Sequence, residues 1–157
     1  MTGLLAALLL AALAPDRAPV PIELTRFMDV SEALDGRWVE FDAYVILMRR
    51  PGHQTTLSAL TGETRTLANG TNVLLCADNT EAHVAVLLGR NGFGPLRRRD
   101  ARPENAYVGV RIRGILRGRS YGYRRGEFDL EWIGSVDHAR IVRVTGDRCL
   151  INLPPEE

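Results

Sequence analysis

RWVEFDAYVILM (residues 37–48) decides the fold class. Val39, Phe41, Ala43, Val45 and Leu47 alternate with Glu40, Asp42 and Tyr44. A period of two puts the two sets on opposite faces of a strand, so the stretch reads as a half-buried β-strand. Arg49-Arg50-Pro51-Gly52-His53 then turns the chain, because proline fixes φ and glycine accepts a positive φ.

The same reasoning extends outward. Thr55–Leu60 predicts a second strand, Asn69-Gly70 a turn, and Thr71–Ala77 a third strand. Glu81–Leu88 predicts a helix with Ala82, Ala85 and Val86 facing inward. GRNGFGPLRRRDARPENA (89–106) reads as a loop rich in Gly, Pro and Arg. Tyr107–Leu116 predicts a fourth strand, with Val108, Val110, Ile112 and Leu116 on one face. Phe128–Ile133 predicts a fifth, and Val136–Val144 a further strand or an extension of the fifth. Upstream, residues 15–30 carry Pro15, Pro19 and Pro21 and read as an extended linker. SEALDG (31–36) reads as a short helical turn, with Ser31 suited to its N-cap and Gly36 to its C-cap position.

Strand, strand, strand, short helix, strand, strand is the order of a mainly β, five-stranded Greek-key barrel of the OB type. LDGRWVEFDAYVI, then VGVRIRGIL, then DHARIV resembles exported bacterial OB-fold proteins. Their phrasing is G-x-x-V-x-x-x-G-x-V, V-x-V-x-G-x-L and a closing A-x-I strand; Ala43 stands where the first has its second glycine. The resemblance spans about Leu34–Val144 and implies a binding or scaffold module without catalytic residues. It sets the expected OB-like domain at 31–150, followed by a tail at 151–157.

At 157 residues the chain fits one domain. All twenty of its basic residues are arginine, a usage that fits codon composition better than any one site. Their distribution is uneven. Residues 90–125 hold eleven arginines against Asp100 and Glu104, a net of +9, and the remainder holds nine against seventeen acids, a net of −8. Such asymmetry marks an anion-binding surface or two ends that pair with each other.

Residues 1–14 read as an export signal: Leu4–Ala14 is an unbroken apolar run ending in Ala12-Leu13-Ala14. A span needs ~20 apolar residues, so no transmembrane helix is expected. Export places the mature chain in the periplasm or outside the cell. There Cys76 and Cys149 can form one disulfide, the other reading being two separate buried thiols.

The sequence holds no P-loop, G-x-G-x-x-G, H-E-x-x-H or G-x-S-x-G. His53, His83 and His138 lack the short paired spacing of zinc ligands, and no nucleophile is marked beside Asp137-His138. No enzyme activity, metal or cofactor is therefore expected. The candidate contact residues lie in the two loops that flank the ligand face of an OB barrel. They are Arg49, Arg50 and His53 in the first, and Arg119, Tyr121, Tyr123, Arg124 and Arg125 in the second. Arginine grips anions and tyrosine offers a flat face for stacking. Arg111, Arg113 and Arg117 are expected to pair across a hairpin with Glu127, Asp129 and Glu131, which leaves Ser120–Arg125 as the exposed tip. The expected partner is an anionic glycan, a lipid headgroup or another protein; single-stranded nucleic acid is the alternative if the chain stays in the cytoplasm.

Overall fold

The structure is a computed structural model. It describes residues 18–48, 55–77, 83–102, 106–118, 134–152 and, by their backbone, 121–125 and 128–132. The expected export segment, Arg49, Arg50, His53, Arg119 and the end of the tail lie outside the described residues.

Ten strands run through this part: β1 (Val20–Pro21), β2 (Trp38–Met48), β3 (Thr56–Leu60), β4 (Gly62–Thr66), β5 (Asn72–Cys76), β6 (Val84–Leu88), β7 (Ala106–Arg117), β8 (Tyr121–Arg125), β9 (Phe128–Trp132) and β10 (Gly134–Leu150). A 3-10 turn, Leu24–Arg26, continues into a short helix α1 (Phe27–Ser31).

Five strands close into a barrel. β2 pairs antiparallel with β3 and β7, β3 with β6, and β7 with β10. The parallel pair β6–β10 closes the ring. This is an OB-like Greek-key order. The alternation of residues 37–48 does the work expected of it: Val39, Phe41, Ala43, Val45 and Leu47 are all buried, as are Val108, Val110, Ile112 and Leu116 of β7. A barrel this small is filled by its own side chains.

Both ends are stoppered. At one, Phe27 of α1 is fully buried beside Gly134, where a Cβ would stand 2.6 Å from the ring. At the other, the segment 89–102 folds over the strands with Leu96 and Ala101 in the core, and Leu47 N–H donates to the Ala101 carbonyl at 2.7 Å. Gly94 allows the close approach: its φ is +49°, and a Cβ there would collide with the Ile141 carbonyl.

Several expectations need correction. The described part of the expected helix Glu81–Leu88 is not helical; it forms β6, the third barrel strand. Val84, Ala85, Val86 and Leu88 are buried on both faces, and an apolar run with no wet side carries no period of two. Thr71–Ala77 contains a strand, β5, but it pairs with β4 in a hairpin outside the ring. Phe128–Ile133 likewise contains β9, which pairs only with β8, and the ring is closed by β10. Ser31 ends a helix rather than starting one, and its hydroxyl donates to the Met28 carbonyl. That helix lies within the stretch expected to be extended. Gly36 does take a positive φ, +76°, and its N–H donates to Leu116.

Candidate anion-binding surface

The outer face of β2, β7 and β10 carries two rungs of charge. Register places Glu40 beside Arg113 and Asp42 beside Arg111, and then Arg140 and Arg143 of β10 beyond them. β10 reaches this arrangement by bulging. Ile141 pairs with Ile112, yet the next partner, Arg111, faces Arg143 rather than Val142. One extra residue turns Arg143 to the outer face. A second irregularity precedes Arg140, where His138 has φ +49°.

The two inner arginines are satisfied. Arg111 makes a two-pronged contact to Asp42, Nε to Oδ1 at 2.9 Å and Nη2 to Oδ2 at 2.8 Å. Arg113 donates twice to Glu40 Oε2, at 2.9 and 2.7 Å. The Arg111 hydrogen bonds hold the Asp42 carboxyl below its usual range, with a further contribution from the charge of Arg143, and Asp42 in turn raises Arg111. A carboxylate whose folded pKa is depressed stabilises the fold above its unfolded pKa, and that contribution is lost as pH falls through the folded value. Because the Asp42 side chain is 54% exposed, Asp42→Asn is expected to cost less than about 1 kcal/mol near neutrality. The difference from wild type should shrink in urea titrations repeated at progressively lower pH, as Asp42 protonates below the usual carboxylate range.

Arg140 and Arg143 are exposed and form no ion pair among the described residues. Like charges set directly opposite are unfavourable, so four arginines over two acids leave an uncompensated positive strip. The strip continues into the segment 89–102. Gly89 N–H donates to Ala139, Ile141 N–H donates to Gly92, and Gly94 lies against the Arg140 side chain. This segment carries Arg90, Arg97, Arg98, Arg99 and Arg102, all exposed, with Asp100 as its one described acid. Arg99 meets Asp100 only at 4.0 Å, and Arg98 lies over the Phe93 ring, 5.8 Å from its centroid. In the sequence the segment reads as a loop rich in Gly, Pro and Arg. Its signal was the local excess of arginine; its attachment to β10 depends on bulges that no sequence pattern displays.

The hairpin contributes differently from expectation. Arg111, Arg113 and Arg117 find described partners elsewhere, in Asp42, Glu40 and, for Arg117, Asp137 at 3.3 Å, while Glu127 and the side chains of Asp129 and Glu131 lie outside the described residues. The cause is register. Arg125 pairs with Phe128 in β8–β9, so β9 faces β8 and never reaches β7. Tyr121, Tyr123, Arg124 and Arg125 therefore belong to a strand, not to a loop tip. The loop after β2 and the excursion after β7 also leave opposite ends of an antiparallel pair. At ~3.3 Å per residue, β7 spans roughly 40 Å between those two ends.

The outer face of β3 and β6, the ligand side of an OB barrel, is not open here. Thr56, Ser58, Leu60 and Ala85 are buried, and Ser58 shares a 2.9 Å hydrogen bond with His83 Nδ1. Among the described residues, no group of three His, Cys, Asp or Glu could hold a metal ion, and no helix is long and apolar enough to cross a membrane. No family model, curated protein or solved structure matches the chain.

Proposed function

We propose that this chain is a non-catalytic OB-like binding module that docks an anionic partner on the arginines of the 89–102 segment and β10, and that it works outside the cytoplasm. One observation carries the reading. Arg90, Arg97, Arg98, Arg99, Arg102, Arg140 and Arg143 are exposed on connected backbone, with one acid, Asp100, in the segment and no closer ion pair among the described residues. Arginine is weakly hydrated and presents a planar fork of donors, so such a surface binds phosphate, sulfate or carboxylate groups well. Export is supported by the apolar N-terminal run and by the bridged cysteines, since disulfides persist in oxidising compartments.

The test uses two polyanions of unlike chemistry, polyphosphate and an oligogalacturonate. Affinity for both should fall steeply with salt as counterions are released. Replacing Arg97, Arg98 and Arg99 together by glutamine should weaken both by about tenfold, each lost contact contributing on the order of 0.5 kcal/mol at an exposed site. Unchanged affinity and an unchanged salt slope in that variant would overturn the reading. N-terminal sequencing of the protein from cells checks export: processing near Ala14 supports it, and an intact N-terminus returns the nucleic-acid alternative.

A further inference from the structure

β10 leads from the arginine strip into a cleft of about 740 Å³. Arg143 lines both. The other walls are Ile22–Thr25, where the chain enters the 3-10 turn, the outer side of β2 at Asp42 and Tyr44, and Thr61 with Gly62 at the start of β4. Thr145 and Asp147 of β10 complete it, beside Gly109 of β7.

Two glycines make room for the tyrosine. A Cβ at Gly62 would lie 2.9 Å from Tyr44 Cε2, and one at Gly109 would lie 3.2 Å from Cε1. The ring is held between β4 and β7. Burial, with added repulsion from Asp147 and Asp42, raises the Tyr44 phenol above its ordinary pKa, so it stays a neutral hydroxyl donor at physiological pH.

The cleft is not a second patch of positive charge. Glu23, Asp42 and Asp147 outnumber Arg143 there. Asp42 is occupied by Arg111, but Glu23 and Asp147 form no ion pair among the described residues. Thr25, Thr61, Thr145 and Tyr44 add four hydroxyls, while Ile22, Leu24 and Val144 supply apolar surface. A bare polyphosphate gains nothing from such a lining, because the acids repel it. A pyranose ring fits: its hydroxyl edge donates to carboxylates, and its C–H face rests on apolar surface.

We propose that the cleft seats one sugar unit of an anionic glycan. The hydroxyl edge of that unit lies against Asp147, Glu23 and the threonines. Its acid group lies on Arg143, and the glycan continues past Arg140 to the arginines of 89–102. This inference rests on the anion-binding reading above and narrows its ligand to a glycan.

Calorimetry with oligogalacturonate and polyphosphate, matched in charge and ionic strength, tests it. Wild type should bind the oligogalacturonate about tenfold more tightly, the equivalent of one or two net hydrogen bonds. Asp147→Asn and, separately, Tyr44→Phe with Thr145→Val should remove most of that advantage while leaving polyphosphate affinity unchanged. Asp147 is exposed, so its variant keeps the test sound if the double variant folds poorly. Equal affinity for the two polyanions in wild type, or cleft variants that leave the advantage intact or weaken both ligands alike, would overturn the glycan assignment and leave the arginine surface standing. Binding of neither polyanion would overturn both.

Discussion

Phe27→Ala is expected to lower the stability of the folded chain by about 3–5 kcal/mol. Phe27 has no exposed surface, and its ring closes the barrel end where β7 finishes and β10 begins. Its loss removes a large apolar side chain from the core. The cavity cannot easily collapse, because the neighbouring backbone is committed elsewhere: Gly36 N–H is bonded to Leu116, and Leu116 N–H to Arg37. Phe27→Leu keeps most of the volume and should cost less than half as much. Urea unfolding of the two variants measures the difference. Typical domains are stable by 5–15 kcal/mol, so the alanine change should show as a large fall in midpoint at nearly constant slope. A cost below about 1 kcal/mol for alanine would mean that the segment from Leu24 to Ser31 does not stopper the barrel.

Phe27 also shows where sequence reading stops. Strands with one dry and one wet face were legible. Val39 to Leu47 and Val108 to Leu116 alternate because water lies on one side of each, and they anchor the barrel. β6 escapes a period-two reading because neither side is wet, so Val84 to Leu88 keeps no alternation to detect. The helix at Phe27 leaves no sequence signal, because PIELTRFMDV is short and its preference for helix comes from the barrel end that Phe27 fills rather than from local propensity.

The charges follow a similar logic. Counting showed where arginine accumulates, but not which arginines are spent. Arg111 and Arg113 lie 69 and 73 residues from the acids that neutralise them, Asp42 and Glu40, and only the β2–β7 register joins them. Arg140 and Arg143 fall in the acidic remainder of the chain by composition. They face outward on the positive strip because two of the three register shifts in β10 immediately precede them. A surface made by register and bulges is invisible to any window along the sequence, whereas the arginine-rich stretch 89–102 was visible and needed only its attachment to β10.

Removing the Cys76–Cys149 bridge should cost about 4 kcal/mol in the chain-entropy account, since it closes a loop of 73 residues. The two sulfurs are bonded at 2.07 Å. The bridge joins the end of β5 to the end of β10, next to the parallel pair Leu75–Leu150. Among the described residues that pair is the one backbone pairing between the β4–β5 hairpin and the barrel, beside the packing of the Tyr44 ring against Gly62. β4 is mostly exposed, so beyond the buried Leu75 and the Tyr44 contact little holds the hairpin in place without the bridge. Cys149 is fully buried, which makes alanine the right replacement: serine would add an unsatisfied hydroxyl to the core. Cys76→Ala with Cys149→Ala, and wild type under reductant, should both unfold at lower urea. Both should also show a steeper slope, because an unlinked unfolded chain exposes more surface. Intact mass should place the untreated protein two hydrogens below its reduced form. Coincident unfolding curves for oxidised and reduced wild type would mean that the hairpin is held without the bridge. The wall that Thr61 and Gly62 give the cleft would then rest on the Tyr44 contact instead, and Tyr44→Ala would replace bridge removal as the change that opens it.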